Sequence, residues 1–262
     1  MSSALDKPDL GRKLVRSDVA YFEAASENIN CLGGILSLIP GFPDLSLACV
    51  LHSLAGIDEI DGWIQQLESL IDTLDSNWAR FYLQELEDGQ REQLQNMGYR
   101  ELVEIGFASR LINPSCKGIA LRHCHSESDW LQYTQLSLAS GDGPDGFDMV
   151  GDSYARVSHM KVDAGYMTPF LAVLHGTVVG FVNLSLQGEL ARCKNLLVHP
   201  DYRDQGIGSA TVTAVMAAAG EQGAAYFGSY AIAGEPSVEL YKGLGMVEVT
   251  RQSEWSRYLG SS

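Results

Sequence analysis

The chain has 262 residues, 45% of them apolar and 19% charged, the composition of a protein that buries a core in one large domain or two of modest size. Its formal net charge of −15 argues against a nucleic-acid partner, since neutralising phosphates needs clustered Lys and Arg; it is compatible with a cationic or amine-bearing small molecule, and equally with acidity for solubility alone. The five cysteines, Cys31, Cys49, Cys116, Cys124 and Cys193, form no Cys-x-x-Cys pair, so reduced thiols in a cytoplasmic protein are expected, and Cys116, His123, Cys124 and His125 match no zinc spacing.

Residues 1–30 read as an irregular start followed by a helix-like segment. The stretch Cys31–Val50 is apolar, but Gly33, Gly34, Pro40, Gly41 and Pro43 interrupt it too often for a membrane span. Leu45–Leu51 has the content of a buried strand. The clearest helix follows, where Leu54, Ile57, Ile60, Ile64, Leu67, Leu70, Ile71 and Leu74 recur at intervals of three and four. Trp78–Leu83 reads as a strand, Asp88–Met97 as a polar helix stopped by Gly98, and Tyr99–Leu111 as a strand with a hairpin at Gly106.

Asn113-Pro114-Ser115 is the best boundary, dividing residues 1–114 from residues 115–262. The first part holds 18 acidic and 8 basic residues and is the more acidic of the two. Beyond the boundary come a strand at Gly118–Arg122 and a helix at Ser126–Ala139 with acid and capping residues at its start. A Gly- and Asp-rich loop spans Ser140–Ser153. Strands are expected at Phe170–Leu174, Val178–Leu186, Leu190–His199 and Ala224–Ile232, helices at Gly206–Gly220 and Ser237–Leu244, and a final strand or pair at Met246–Leu259.

The most informative stretch is Asn195-Leu196-Leu197-Val198-His199-Pro200-Asp201-Tyr202-Arg203-Asp204-Gln205-Gly206-Ile207-Gly208-Ser209. An apolar strand meets a proline, then a turn with Gly206 and Gly208, then a small-residue helix. That order exposes backbone amides at a helix N-terminus, which favours phosphate. There is no Gly-Lys-Ser/Thr, so it is not a P-loop, and no third glycine completes a dinucleotide fingerprint. Arg-x-x-Gly-x-Gly behind Leu-x-Val-x-Pro-x-Tyr closely resembles the acyl-CoA signature of the GNAT superfamily of N-acetyltransferases, and the element order over residues 118–259 is similar to that fold.

The resemblance implies a mixed α/β (α+β) fold, with a mainly antiparallel central sheet flanked by helices. It also implies acetyl-CoA as cosubstrate, without metal, and transfer of acetyl to a primary amine of a small molecule by direct attack. Arg203, Asp204, Gln205, Gly206, Ile207, Gly208 and Ser209 would take the CoA pyrophosphate, and Leu197 and Val198 the pantetheine arm through backbone groups in the gap between two splayed strands. Tyr241, in the short helix before Leu244-Gly245-Met246, would protonate the leaving thiolate, and an amide near Val198 would meet the oxyanion. Glu189 is the expected base. Alternatives are Cys193 or Asn195 holding a water, His159, His175 and His199; Asp142, Asp145, Asp148 and Asp152 could attract an ammonium. Gly234 stands where relatives often carry a CoA-contacting asparagine. A non-catalytic acyl-CoA-sensing or protein-interaction module is the alternative reading.

Residues 93–103 and 239–249 share one pattern: a polar helix, an apolar residue, a glycine, then an apolar strand. Residues 1–114 thus form a smaller α/β domain resembling a degenerate, partial GNAT repeat. It lacks Arg-x-x-Gly-x-Gly, so one CoA site is expected.

Overall fold

The computed structural model describes residues 5–83, 86–111, 118–139 and 152–260. In chain order the elements are α1 (Lys7–Glu23), β1 (Glu27–Cys31), β2 (Gly34–Leu38), β3 (Cys49–His52), α2 (Ile60–Thr73), β4 (Trp78–Leu83), α3 (Asp88–Asn96), β5 (Arg100–Arg110), β6 (Ile119–His123), α4 (Glu127–Ala139), α5 (Asp152–Asp163), β7 (Thr168–Leu174), β8 (Thr177–Gln187), β9 (Leu190–Val198), α6 (Ile207–Glu221), β10 (Tyr226–Ile232), α7 (Pro236–Gly243) and β11 (Val247–Tyr258). They divide into two units that interleave along the chain: Met1–Asp18 with Ile105–Thr250, and Val19–Glu104 with Arg251–Ser262. The boundary expected at Asn113–Ser115 falls within 112–117, outside the described residues.

In the unit of Val19–Glu104 and Arg251–Ser262 the strand order is β1-β2-β3-β4-β11-β5. β3 and β4 run parallel, joined by α2, while β1 with β2, β2 with β3, and β4 with β11 are antiparallel. Ile60, Ile64, Leu67 and Ile71 form the buried stripe of α2 and pack on Leu36, Leu51, Phe81 and Trp255. Each such side chain removed from water contributes about 1.5–3 kcal/mol. The stripe was legible in the sequence, but the helix begins at Ile60 rather than Leu54, because Gly56 adopts φ 153° and Glu59 caps the first turn.

In the unit of Met1–Asp18 and Ile105–Thr250 the order is β5-β10-β9-β8-β7-β6. β6 to β9 form an antiparallel meander, and β10 joins β9 in parallel. Val212, Val215 and Ala219 of α6 pack on Val182, Leu184, Cys193 and Phe227. Tyr133 of α4 stacks on Phe181 of β8 at 3.9 Å, with Tyr154 of α5 also stacked on Phe181. α5 and the β1–β2 hairpin lie where no helix or hairpin is expected from the sequence. The hairpin proposed at Gly106 is absent: β5 runs on as one strand, and a Cβ at Gly106 would meet Thr250 Cγ2 at 2.5 Å and Leu14 Cδ2 at 2.8 Å. Gly106 is therefore a packing glycine, not a turn glycine.

The two halves repeat one sequence of elements: β2-β3-α2-β4-α3-β5, then β8-β9-α6-β10-α7-β11. The helix endings match bond for bond. Gly98 N donates to Gln95 O (2.9 Å) and Tyr99 N to Leu94 O (3.0 Å); Gly245 N donates to Lys242 O (2.9 Å) and Met246 N to Tyr241 O (3.1 Å). Gly98 and Gly245 both sit at positive φ, 85° and 76°, where a side chain would be strained. The last strands are exchanged. β11 pairs with β4 of the first repeat, and β5 lies beside β10 of the second.

Candidate active site

The ladder between β9 and β10 is short. Tyr226 pairs with Leu190, Phe227 with Ala191 and Gly228 with Arg192, and the register ends there although both strands continue. On its other side β9 stays bonded to β8 as far as Val198 opposite Gly180. The edge of β9 that faces β10 thus carries no ladder rung to it from Cys193 onward. Two features bend it away. The β8–β9 register shifts between Phe181 and Asn183, and Asn195 takes the left-handed conformation at φ 57°. The slip breaks the alternation that placed Cys193 and Asn195 on one face: Leu196, three residues after Cys193, packs against the same apolar cluster. Gly180 allows this arrangement, since a Cβ there would collide with Leu197 O.

At the end of β9 the chain turns through Pro200–Tyr202 into α6. Asp204 (φ 59°) and Gly206 (φ 76°) both adopt left-handed conformations, and Gly206 is the N-cap with no side-chain cap on the helix. The first backward helical bond is Ala210 N to Gly206 O at 3.0 Å. The amides of Ile207, Gly208 and Ser209 are the orphan donors of the first turn, where no acidic residue stands. Arg203, Asp204, Gln205 and Gly206 are exposed. Arg203 Nε donates to Val198 O (3.2 Å) and Gln205 Nε2 to Asp201 O (3.1 Å), so the loop is braced by its own side chains. Gly208 lets α6 approach α7: a Cβ would stand 3.0 Å from Leu240 Cδ1. The uncapped donors, the helix dipole and the open glycine fit a pyrophosphate.

Tyr241 of α7 reaches the point where the strands part. It is 3% exposed, and its ring lies 5.9 Å from that of Phe107. Ser229 Oγ lies 2.8 Å from Tyr241 Oη and 3.1 Å from Cys193 O, within donating distance of both. Burial pushes the Tyr241 phenol well above its ordinary range, so it holds its proton at neutral pH. Burial likewise pushes the Cys193 thiol up to about 12, which leaves it a neutral neighbour and not a base.

The other expected residues are dispersed. Glu189 lies at the hairpin before β9, with its side chain 69% exposed and Lys13 Nζ at 3.8 Å. Its carbonyl accepts from Ala225 N and Tyr226 N, at the paired end of β9, away from the opening. The structure does not bring Glu189 to Tyr241. His175 occupies the β7–β8 turn at φ 49°, His159 lies edge-on to Trp130 at 4.4 Å, and His199 Nδ1 accepts from Asp201 N at 3.3 Å. Asp152 starts α5 beside Arg156. Asp142, Asp145 and Asp148 lie outside the described residues, as does Cys116. Gly234 forms a left-handed turn at φ 87° leading to the N-cap Glu235 and to Pro236, so the departure from asparagine is a change of turn chemistry.

Two features of the site had no sequence signal of their own. Ser229 matters only because the parallel register sets it opposite Cys193. Arg192, also on β9, pairs with Asp18 at 2.5 Å, and Lys194 reaches the same carboxylate at 2.8 Å. Burial alone would raise the Asp18 carboxyl, but those two cations hold it well below the usual carboxylate range.

A break in the β9–β10 ladder, an amide-rich helix start and a buried phenol thus meet in one unit of the chain. The model of the acetyltransferase (GNAT) family matches residues 133–246. Among solved structures, a functionally unknown conserved protein from Staphylococcus epidermidis is similar, with a TM-score of 0.71 and 13% identity, over 90% of this chain and 96% of its own. A GCN5-related N-acetyltransferase from Kribbella flavida aligns with a TM-score of 0.67 and 14% identity over 96% of both chains. A tandem GNAT protein from the clavulanic acid biosynthesis pathway aligns with a TM-score of 0.52 and 13% identity over 98% of both chains. No curated protein sequence matches the chain. The family uses acetyl-CoA as cosubstrate. Among the described residues there is no group of three or more His, Cys, Asp or Glu arranged for a metal, and no helix is long and apolar enough to cross a membrane.

Proposed function

We propose that this protein is an N-acetyltransferase that moves the acetyl group of acetyl-CoA to a primary amine of a small molecule by direct attack, in the cytoplasm. The observation that carries the reading is the conjunction of three features: the uncapped start of α6, the end of the β9–β10 ladder at Arg192 and Gly228, and the buried Tyr241 phenol beside Ser229 and Cys193. Arg203 to Ser209 hold the pyrophosphate, and backbone groups of Leu197 and Val198 guide the pantetheine arm as a strand would. An amide near Val198 steadies the oxyanion. Tyr241 donates its proton to the sulfur as the C–S bond breaks, while the attacking amine, neutral on arrival, forms the C–N bond and then gives its extra proton to solvent water. Glu189 has no part in this reading. The net charge of −15 suits an acceptor that is itself cationic.

Calorimetric titration with acetyl-CoA is expected to show one site, and a panel of small primary amines to yield thiol release for at least one member. Absence of acetyl-CoA binding would overturn the reading. Tight binding with no thiol release across the panel would favour a non-catalytic acyl-CoA sensor.

A further inference from the structure

Ser229 is the next residue of β10 after the last ladder rung, Gly228–Arg192, and Cys193 is its counterpart on β9. The rung that would join them is replaced by a side-chain bond, Ser229 Oγ to Cys193 O at 3.1 Å. The same oxygen lies 2.8 Å from Tyr241 Oη. Ser229 is 3% exposed, so no bulk water competes for its proton. One hydroxyl proton thus faces two close acceptors, one fixed and one whose charge changes during the proposed reaction, with Tyr230 O farther off at 3.5 Å.

We propose that Ser229 is a positioning residue for Tyr241, one that holds the phenol at the parting of β9 and β10 and moves its own hydrogen bond from the Cys193 carbonyl to the phenolate as the phenol gives up its proton. The inference rests on the acyl transfer proposed above. At rest the serine proton lies on Cys193 O, and the Tyr241 proton is available to sulfur. When the C–S bond breaks, the electron pair stays on sulfur and the phenol proton neutralises it. The phenolate left behind is buried and costly. Ser229 Oγ–H turns to it, a charge-assisted bond stronger than the one given up at the carbonyl. Reprotonation of Tyr241 from solvent returns the serine to Cys193 O.

The test is a double-mutant cycle on the full chain, reading thiol release from acetyl-CoA with the best amine of the panel and, independently of any acceptor, with water. Ser229→Ala is expected to lower kcat roughly 10-fold, the scale of one hydrogen bond to a charged group, with KM for acetyl-CoA unchanged. In a Tyr241→Phe background the same change is expected to cost nothing more. Ser229→Thr, which keeps the hydroxyl, is expected to retain the rate. If Ser229→Ala does not fold, Ser229→Cys carries the same comparison, since a thiol is a weak donor. Equal losses in both backgrounds would reduce Ser229 to a packing role and overturn the inference. Full activity of Ser229→Ala beside an impaired Tyr241→Phe would overturn it and leave the acyl transfer standing. A Tyr241→Phe variant as fast as wild type would remove both the acid and the residue that positions it.

Discussion

Tyr241 and Leu94 occupy one position in the two repeats, each accepting the backbone bond that closes its helix. Leu94 is fully buried among apolar side chains and has no proton to give. Tyr241→Phe is therefore expected to keep the packing and lose the chemistry. We predict a fall in kcat of about 10²–10⁴, with the affinity for acetyl-CoA by calorimetry unchanged. Lys161 makes a second prediction. It is fully buried on α5, and burial, with Lys194 nearby, lowers its ammonium to about 7. Between that value and the ordinary lysine range near 10.5 the unfolded chain binds the proton and the folded chain does not, so stability rises with pH across this window. Below about 7 both states are charged and the burial penalty is complete. Denaturant melts of the wild type should show stability rising between about pH 7 and pH 10, and Lys161→Met, which has no proton to lose, should flatten that rise.

The helices α2 and α6 follow equivalent strands, yet their N-termini are built oppositely. Glu59 places its own carboxylate on Gly62 N at 2.9 Å, and Asp61 adds a second acid in the first turn of α2. The start of α6 has neither cap nor acid. A carboxylate on α2 already stands where α6 leaves room for phosphate. Glu59→Ala should cost about 1 kcal/mol of unfolding free energy and leave the acetyl-CoA affinity untouched. Ser209→Glu, which brings an acid to the open amides, should weaken that affinity by about tenfold or more at low salt, measured by calorimetry. These contrasts were legible in part. The Arg203-Asp204-Gln205-Gly206-Ile207-Gly208 run declares α6, because glycine and turn residues act locally. The self-capping of α2 was hidden, since Glu59 lies inside an apolar pattern that extends back to Leu54 and masks the true start.

At the scale of the molecule, α2, β4, α3 and the whole run from β7 to α7 could be read from periodicity and turn residues. What could not be read was set by pairing at long range. Whether β11 was one strand or two, and which strand it joins, depends on β4, far away in sequence: Trp255 lies opposite Phe81 and Ser256 opposite Arg80. The β9–β10 opening, and with it Ser229, follows from a register that no local pattern records. β11 also closes a buried charge. Arg80 bonds Glu254 at 2.7 Å, and Tyr82 donates to the same carboxylate at 2.6 Å. Burial disfavours the Arg80 guanidinium charge, and the Glu254 carboxylate beside it more than offsets that, so its pKa is held above the ordinary range. Glu254→Gln should therefore cost roughly 3–5 kcal/mol of unfolding free energy, far more than loss of an exposed pair.

The exchange of β5 and β11 has a consequence for how the chain is made. Residues 19–104 leave the ribosome early, but the strand that covers β4 and delivers Trp255 and Glu254 comes some 150 residues later, at roughly 5–20 residues per second. For that interval the nascent polypeptide holds an unpaired β4 edge, an incomplete apolar cluster and an arginine awaiting its counter-charge. Ribosome-bound chains stalled before Arg251 should be cleaved rapidly by protease within residues 19–104, and chains stalled with Leu259 clear of the exit tunnel should resist. A segment translated well before its partner strand would then be among the last to acquire its native structure.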